Sequence, residues 1–369
     1  MIKILTVIGA RPQFIKAGPV SAALAGLATE VVVNTDQHYD PEMSDVFFRE
    51  LGLRPADYSL DVGSGSHGVQ TGEMLKRLEP VMLEEKPDVV MVYGDTNSTL
   101  AGALTAAKLR LPIAHVEAGL RSFNRAMPEE VNRIVTDHLS TLLFTPAASS
   151  ENQLRQEGIT RGVHVTGDVM YDAVLHYAPL AAQASRYPQS LGLEPKRFYL
   201  CTVHRAENTD DPVKLRSIIE ALSAVPLPVI LPLHPRTRKK LNEITVSATR
   251  NVHILEPVGY LDMLQLLQSS ATVITDSGGL QKEAYYLGVP CVTLRLETEW
   301  TETVDAGWNE LVGCDEKLIL AAVAAAQQPP QSRPKLYGDG QAAPRIARIL
   351  TQYAADSADE RRAAEALTL

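Results

Sequence analysis

Three carboxylates and one imidazole stand where a short apolar run gives way to a glycine or to a helix start. Asp95 follows the run 89–93 and Gly94, Glu117 directly ends the run 113–116, and Glu129 follows Pro128 at the first turn of an expected helix. His204 and Arg205 end the run 198–203. An ionised acid at the end of a buried strand needs a partner or a chemical role, because desolvating it alone is costly. Carboxylates and an imidazole on such positions are the residue types of general acid–base catalysis. Each also has a plain structural role open to it. Asp95 could cap the helix that begins near Thr99. Glu129 and Glu130 could decorate a helix start, where the macrodipole keeps them ionised. Any single histidine could be a hydrogen-bonded structural one.

A second constellation concerns anions. The segment Asp276-Ser277-Gly278-Gly279-Leu280-Gln281-Lys282-Glu283 ends a strand in a hydroxyl and two glycines, and a helix follows. Glycines let backbone N–H groups approach an anion closely, and a helix start adds partial positive charge. Phosphate or diphosphate binding is the expectation, against a tight turn with Ser277 as helix cap. The formal G-x-G-x-x-G match from Gly63 to Gly68 lacks the buried strand that the dinucleotide fingerprint requires, so a surface or gating loop is expected there. The chain has no Gly-Lys-Ser/Thr phosphate loop.

These residues need elements to hold them. Runs rich in Val and Ile recur at 2–8, 31–34, 89–93, 113–116, 142–145 and 163–165, then at 198–203, 229–233, 252–255, 272–275 and 291–294. Helical periodicity fills the intervals, as in Gly72 to Lys86, Thr99 to Arg110, Pro212 to Ala224 and Leu261 to Ser269. Strands apolar throughout are buried on both faces, as in a parallel sheet covered by helices. Two successive sets of such βα units predict an α/β fold of two doubly wound, Rossmann-like domains. The rhythm lapses between Met170 and Arg186. The expected division is therefore 1–170 and 171–351, with a last helix over 352–369 that could pack back on the first domain. Open parallel sheets bind ligands beyond their carboxyl ends. Gly9-Ala10-Arg11-Pro12-Gln13, Lys16, Gly167-Asp168 and His234-Pro235-Arg236 stand at such ends too, which predicts an active site between the domains.

Composition narrows the partners. With 35 Lys and Arg against 44 Asp and Glu, the net charge is −9 and no basic block appears, so nucleic acid is excluded as a partner. Cys201, Cys291 and Cys314 are too few and too scattered for a disulfide framework or a cysteine zinc site, and reduced buried thiols are expected. Arg11-Pro12 interrupts the N-terminal apolar run too early for a signal peptide, so a first strand is expected. No run reaches the ~18 residues needed to span a bilayer. The expectation is a soluble cytoplasmic protein with no membrane contact.

Taken together, the motifs match a family. Gly9-Ala10-Arg11-Pro12, Thr35-Asp36-Gln37-His38-Tyr39, Tyr93-Gly94-Asp95-Thr96 and His115-Val116-Glu117-Ala118-Gly119-Leu120-Arg121 lie in the first half. Met127 to Arg133, His204-Arg205-Ala206-Glu207-Asn208 and Thr275 to Glu283 follow. In these seven ordered motifs, across nearly its whole length, the chain resembles the non-hydrolysing UDP-N-acetylglucosamine 2-epimerases, which have a two-domain GT-B-like fold. The resemblance implies inversion at C2 of a UDP-2-acetamido sugar. UDP is lost by anti elimination to a 2-acetamidoglucal and added back with proton delivery on the other face, without nicotinamide or metal. It further implies Asp95, Glu117 and Glu129 as the acid–base set, with His204 also catalytic. Arg11 and Ser277-Gly278-Gly279 would hold the diphosphate, and Glu283 the ribose hydroxyls. Lys16 and His234 would line the nucleotide cleft, Pro257 to Tyr260 would contact uracil, and the enzyme would be a homodimer.

The sequence also departs from that pattern. Ala206 replaces the second arginine of the His-Arg-Arg-Glu-Asn motif found in bacterial members that their own substrate activates. Gly65 to Thr71 lacks an arginine found there, and Asp40 replaces a glutamine. An absent or altered second-substrate site is the expectation. Ser122-Phe123-Asn124, Thr298-Glu299-Trp300 and His204 to Pro212 are similar to a branch of two kinds, one acting on UDP-GlcNAc and one on UDP-2,3-diacetamido-2,3-dideoxy-glucuronic acid. The C6 carboxylate of the second would need a cation such as Arg121, Arg125 or Arg205. UDP-GlcNAc is the expected substrate. A GT-B glycosyltransferase, a hydrolysing epimerase and a nucleotide-sugar sensor are the alternatives.

Overall fold

Uninterrupted stretches of Val, Ile and Leu build strands with both faces covered, and helices supply the cover. The computed structural model describes residues 1–37, 51–233, 235–244 and 251–366. Two compact units result, one of Met1–Ala173 with Tyr337–Leu369, the other of Val174–Leu336. The first contains β1 (Ile2–Ile8), β2 (Ala28–Asn34), β3 (Tyr58–Ser59), β4 (Val89–Tyr93), β5 (Ile113–Val116), β6 (Leu142–Thr145) and β7 (Val163–Val165). They lie in the order β3-β2-β1-β4-β5-β6-β7. The second unit contains β8 (Tyr199–Thr202), β9 (Val229–Pro232), β10 (Val252–Leu255), β11 (Thr272–Thr275), β12 (Cys291–Thr293) and β13 (Asn309–Leu311), in the order β10-β9-β8-β11-β12-β13.

Every pairing in both sheets is parallel. The α/β class and the doubly wound sheets follow as the sequence predicts. In each unit the strand order reverses once, between β1 and β4 and between β8 and β11. At such a switch point neighbouring crossovers leave on opposite sides and open a crevice beyond the strand ends. The apolar runs reappear as strands to within a few residues. β3 and β13 had no such run, for a physical reason: both are edge strands of two or three residues, which need not be apolar on both faces.

Local chemistry sets the helices that frame the switch points. Helix Asn97–Lys108 starts at Thr96, whose Oγ1 accepts from Thr99 N at 3.3 Å while Thr99 Oγ1 accepts from Thr96 N at 3.2 Å. Gly102 seats this helix closely on the sheet, since a Cβ there would lie 2.9 Å from a methyl of Val92 and 3.2 Å from Val7. The core beneath it joins Leu5, Val7, Val33, Val90 and Val92 to Met74 and Leu78 of helix His67–Glu85. In the second unit, Tyr199, Cys201, Leu231 and Ile274 pack on Leu215, Ile218 and Leu222 of helix Pro212–Ala224.

The chain returns to the first unit at Tyr337, whose carbonyl accepts from Asp168 N at 3.0 Å. Helix Ala342–Ala366 then packs on helix Arg11–Leu24. Its start is held by Asp172, which accepts from Ala342 N at 3.1 Å and Ala343 N at 2.8 Å. Burial raises the Asp172 carboxyl above its usual range, and those two N–H groups only partly offset it. Among the described residues no helix is long and apolar enough to cross a membrane.

Candidate active site

In the first unit the switch point is tied together by Gln13, buried in the first turn of helix Arg11–Leu24. Its Oε1 accepts from Gly9 N at 2.8 Å and Ala10 N at 3.1 Å, and its Nε2 donates to Tyr93 O at 2.9 Å and Thr99 Oγ1 at 3.0 Å. One side chain thus fixes the ends of β1 and β4. Arg11, half-buried, opens the same helix. The β4–β5 register sets Tyr93 against Val116, so Gly94 and Glu117 leave the sheet side by side. Glu117 is buried, has φ +75, and forms an ion pair with Lys16, whose side chain is only 9% exposed. A non-glycine residue in the left-handed region is held there by its surroundings, and such strain collects at functional sites. Lys16 therefore sits on the carboxylate expected to do acid–base work.

Asp95 does not cap the following helix, because Thr96 does. Its carboxylate pairs instead with Arg133 and stays one-third exposed, while its carbonyl accepts from Asn132 Nδ2 at 2.9 Å. The two acids that open helix Pro128–Leu139 diverge. Glu129 is exposed. Glu130 is buried and accepts from Ser122 N at 2.9 Å, Phe123 N at 2.8 Å and Arg133 Nη1 at 2.8 Å. Arg133 thus bridges Glu130 and Asp95. Beside them, Asn97 Nδ2 reaches His67 Nδ1 at 3.1 Å and Gln70 Oε1 at 2.8 Å. Gln70 in turn donates to Gly63 O at 2.8 Å, so the glycine-rich segment is fastened to the Asp95 loop.

In the second unit the switch point carries His204 and Asp276. Asp276 is fully buried at the end of β11, and its carboxylate accepts from the backbone N–H groups of His204 and Arg205 at 3.1 and 3.0 Å and from Asn208 Nδ2 at 3.2 Å. His204 Nδ1 lies 3.1 Å from Asp276 Oδ1, and the imidazole is 47% exposed. Burial pushes the Asp276 carboxyl up. The His204 hydrogen bond and charge, with the Arg205 N–H and Asn208, outweigh it and hold the group below the usual carboxylate range. A carboxylate on Nδ1 fixes the tautomer and leaves Nε2 for chemistry, the arrangement of an oriented general acid–base histidine.

Helix Gly278–Leu287 starts at Ser277 with no side-chain cap, so the hydroxyl does not satisfy the first-turn N–H groups. Neither Gly278 nor Gly279 has a positive φ. Among the described residues a Cβ on Gly279 would meet nothing within 4 Å, and one on Gly278 only ordinary contacts, 3.6 Å from Trp300 Nε1 and 3.8 Å from Glu299 Oε2. Nothing among the described residues requires glycine at either place. Glu283 is buried one turn further along. His234 lies outside the described residues, as do His38, Tyr39 and Asp40 of the motifs. Tyr260, in the segment expected at uracil, has a buried ring set edge-on to Tyr177, with centroids 5.8 Å apart.

The family model for UDP-N-acetylglucosamine 2-epimerase matches residues 24–351. The chain belongs to the UDP-N-acetylglucosamine 2-epimerase family. It is 50% identical over 361 residues to the UDP-2,3-diacetamido-2,3-dideoxy-D-glucuronate 2-epimerase of Pseudomonas aeruginosa, covering 95% of this chain and 100% of that one. It is 48% identical over 354 residues to a UDP-N-acetylglucosamine 2-epimerase homolog of Methanococcus maripaludis, covering 95% and 99%. Its fold matches the crystal structure of Methanocaldococcus jannaschii UDP-GlcNAc 2-epimerase in complex with UDP-GlcNAc and UDP. That match has a TM-score of 0.88 at 42% identity, over 95% of this chain and 100% of that one.

Within this epimerase-family chain, the sequence did not single out Gln13, Glu130, Arg133 or Asp276. Gln13 had no signal beyond its place after a strand end. Arg133 stands three residues after Glu130 on the helix, a spacing that could have flagged the pair. Asp276 stood at the head of the glycine segment, where Ser277 and the two glycines carried the anion expectation. Of the three arginines considered for a C6 carboxylate, Arg121 is already committed to Asp137 and Glu157, with its side chain 2% exposed. Arg125 is exposed and Arg205 half-exposed.

Proposed function

We propose that this chain inverts C2 of a UDP-2-acetamido sugar, with UDP-GlcNAc as its substrate and UDP-ManNAc as its product. UDP leaves by anti elimination to a 2-acetamidoglucal and returns with protonation of the opposite face. The observation that carries this reading is the pair Asp95 and Glu117, carboxylates at the ends of adjacent parallel strands, each set against a cation. Elimination needs a base on one face of C2, and re-addition of UDP needs an acid on the other. Asp95, Glu117 and Glu129 form that set, with His204, oriented by Asp276, as a further catalytic group. Positioned acid–base groups contribute roughly 10²–10⁴-fold each.

The leaving group is a diphosphate and needs electrostatic stabilisation. Ser277, Gly278 and Gly279 supply it through uncapped N–H groups at a helix start, and their glycines are explained by close approach of the phosphates rather than by backbone strain. Arg11 adds a cation. Glu283 binds the ribose hydroxyls, and Lys16 and His234 complete the nucleotide set, Lys16 also holding Glu117. Cytoplasmic action as a homodimer belongs to this reading. Ala206 and the arginine-free segment Gly65 to Thr71 support a chain without a second substrate site, so the rate should depend hyperbolically on UDP-GlcNAc.

The identity of 50% to the Pseudomonas aeruginosa relative favours one second reading, a UDP-2,3-diacetamido-glucuronate substrate, with Arg125 or Arg205 taking the C6 carboxylate. Chromatography of the products from each UDP-sugar, without an acceptor, tests both. UDP-ManNAc from UDP-GlcNAc supports the first reading, and turnover of the diacetamido-uronate alone supports the second. Free ManNAc with UDP would indicate a hydrolysing enzyme. Turnover of neither sugar would leave the transferase and the sensor.

A further inference from the structure

His115 lies on β5, two residues before Glu117, and is completely buried. Both of its ring nitrogens are engaged. Nδ1 lies 2.7 Å from Asp137 Oδ1 and Nε2 lies 2.8 Å from the carbonyl oxygen of Gly94. A carbonyl only accepts, so Nε2 carries a proton. The other Asp137 oxygen accepts from Gly119 N at 3.1 Å and from Arg121 Nη1 at 2.7 Å, and the buried Arg121 guanidinium keeps the carboxyl ionised, so its Oδ1 accepts and Nδ1 donates too. A ring that donates from both nitrogens is an imidazolium. The charges then alternate along a chain that runs from the buried His115, Asp137 and Arg121 to the partly exposed Glu157, the last bound by Arg121 at 2.8 and 2.7 Å.

The chain touches both turns that carry the acid–base carboxylates. Gly94 immediately precedes Asp95, and Gly119 follows Glu117 by two residues. Gly94, Glu117 and Gly119 all have left-handed backbone, with φ of +63, +75 and +82. Glycine adopts that backbone freely, whereas Glu117 between them persists there only where neighbouring contacts over-determine it. Here the contacts are the His115 bond to Gly94 and the Asp137 bond to Gly119.

We propose that His115, as a buried imidazolium seated on Asp137, is a positioning residue that sets the Gly94 and Gly119 turns and through them the placement of Asp95 and Glu117. This rests on the reading of those two carboxylates as the acid–base pair. Its consequence is that geometry at C2 depends on a group that never meets the substrate. A displacement of about 1 Å at reacting groups costs about 100-fold in rate.

Two substitutions separate positioning from bulk stability. His115→Asn leaves a donor near the Nδ1 position, toward Asp137, and loses the bond to Gly94. His115→Gln leaves a donor near the Nε2 position, toward Gly94, and loses the one to Asp137. The expected result is that His115→Asn lowers kcat by about 100-fold with KM and UDP affinity changed by less than about threefold, and that His115→Gln regains about tenfold of the loss. Equal kcat in the two folded variants, or a folded His115→Asn with kcat within about threefold of the parent, overturns the proposal. Should neither variant fold, nitrogen-15 NMR of the parent decides. Protons on both His115 ring nitrogens at neutral pH are expected, and one bare nitrogen overturns it. A parent inert on both UDP-sugars would fail the reading of the reaction, while the protonation of the ring, measured without substrate, would still decide the contact to Gly94.

Discussion

Glu129 and Glu130 are chemically alike and adjacent, yet helix Pro128–Leu139 turns them in different directions. Glu130 points inward and anchors the backbone of Ser122 and Phe123, while Glu129 faces solvent. The two should therefore fail differently. Glu129→Gln is expected to lower kcat by roughly 10²-fold or more with an unchanged melting temperature. Glu130→Ala takes one of two carboxylates from the buried Arg133 and unpairs the N–H groups of Ser122 and Phe123, and is expected to cost about 3 kcal/mol of stability, read by urea unfolding. Equal loss of stability in both would contradict the assignment. At the same scale, Asp276→Asn removes the carboxylate that orients His204. It should lower kcat by about 10²-fold or more while leaving UDP affinity near that of the parent, as calorimetry would read. Spacing marked Asp95, Glu117 and His204 because strand ends are visible as breaks in apolar runs. It could not mark Asp276 as the partner of His204, since 71 intervening residues separate them and only the β8–β11 pairing brings them together.

The elements were legible wherever burial was complete. Strands β4, β5, β6 and β11 coincide with the apolar runs because a central strand between two helical layers has no polar face to interrupt it. The edge strands β3 and β13 escaped, and so did the start of helix His67–Glu85, which begins with polar residues that face the Asp95 loop. Gly94 shows how an element joint serves the site. Its φ is +63, and a Cβ would lie 3.3 Å from Glu117 Oε2 and 3.4 Å from Lys16 Nζ. Gly94→Ala is expected to cost roughly 1–2 kcal/mol from left-handed backbone and to lower kcat further by displacing the Glu117–Lys16 pair. Unchanged kcat in that variant would show that the turn does not govern the carboxylate.

For the molecule as a whole, acid should act through carboxylates that the fold keeps ionised. Burial opposes the charge of Asp137, Glu157 and Asp276, but the cations and N–H groups around them reverse the effect and hold all three low. A lowered folded pKa contributes stability that is fully present above the unfolded value, about 4, and is lost as pH falls through the folded one. Asp172 has the opposite sign: burial raises it, and its charge costs stability that returns on acidification. Glu85, hydrogen-bonded by Tyr58 and Lys3, and Asp339, paired with Arg345, are lowered too, so among the described carboxylates the lowered ones outnumber Asp172 and the melting temperature should fall from about pH 5 to about pH 3. Asp276→Asn should make that slope shallower, and an unaltered slope would contradict the assignment. The central claim, acid–base chemistry at C2 of a UDP-2-acetamido sugar, is tested most directly by proton NMR of the protein with UDP-GlcNAc in D₂O. The account predicts UDP-ManNAc carrying deuterium at C2. Product that retains its C2 proton from the substrate would contradict it.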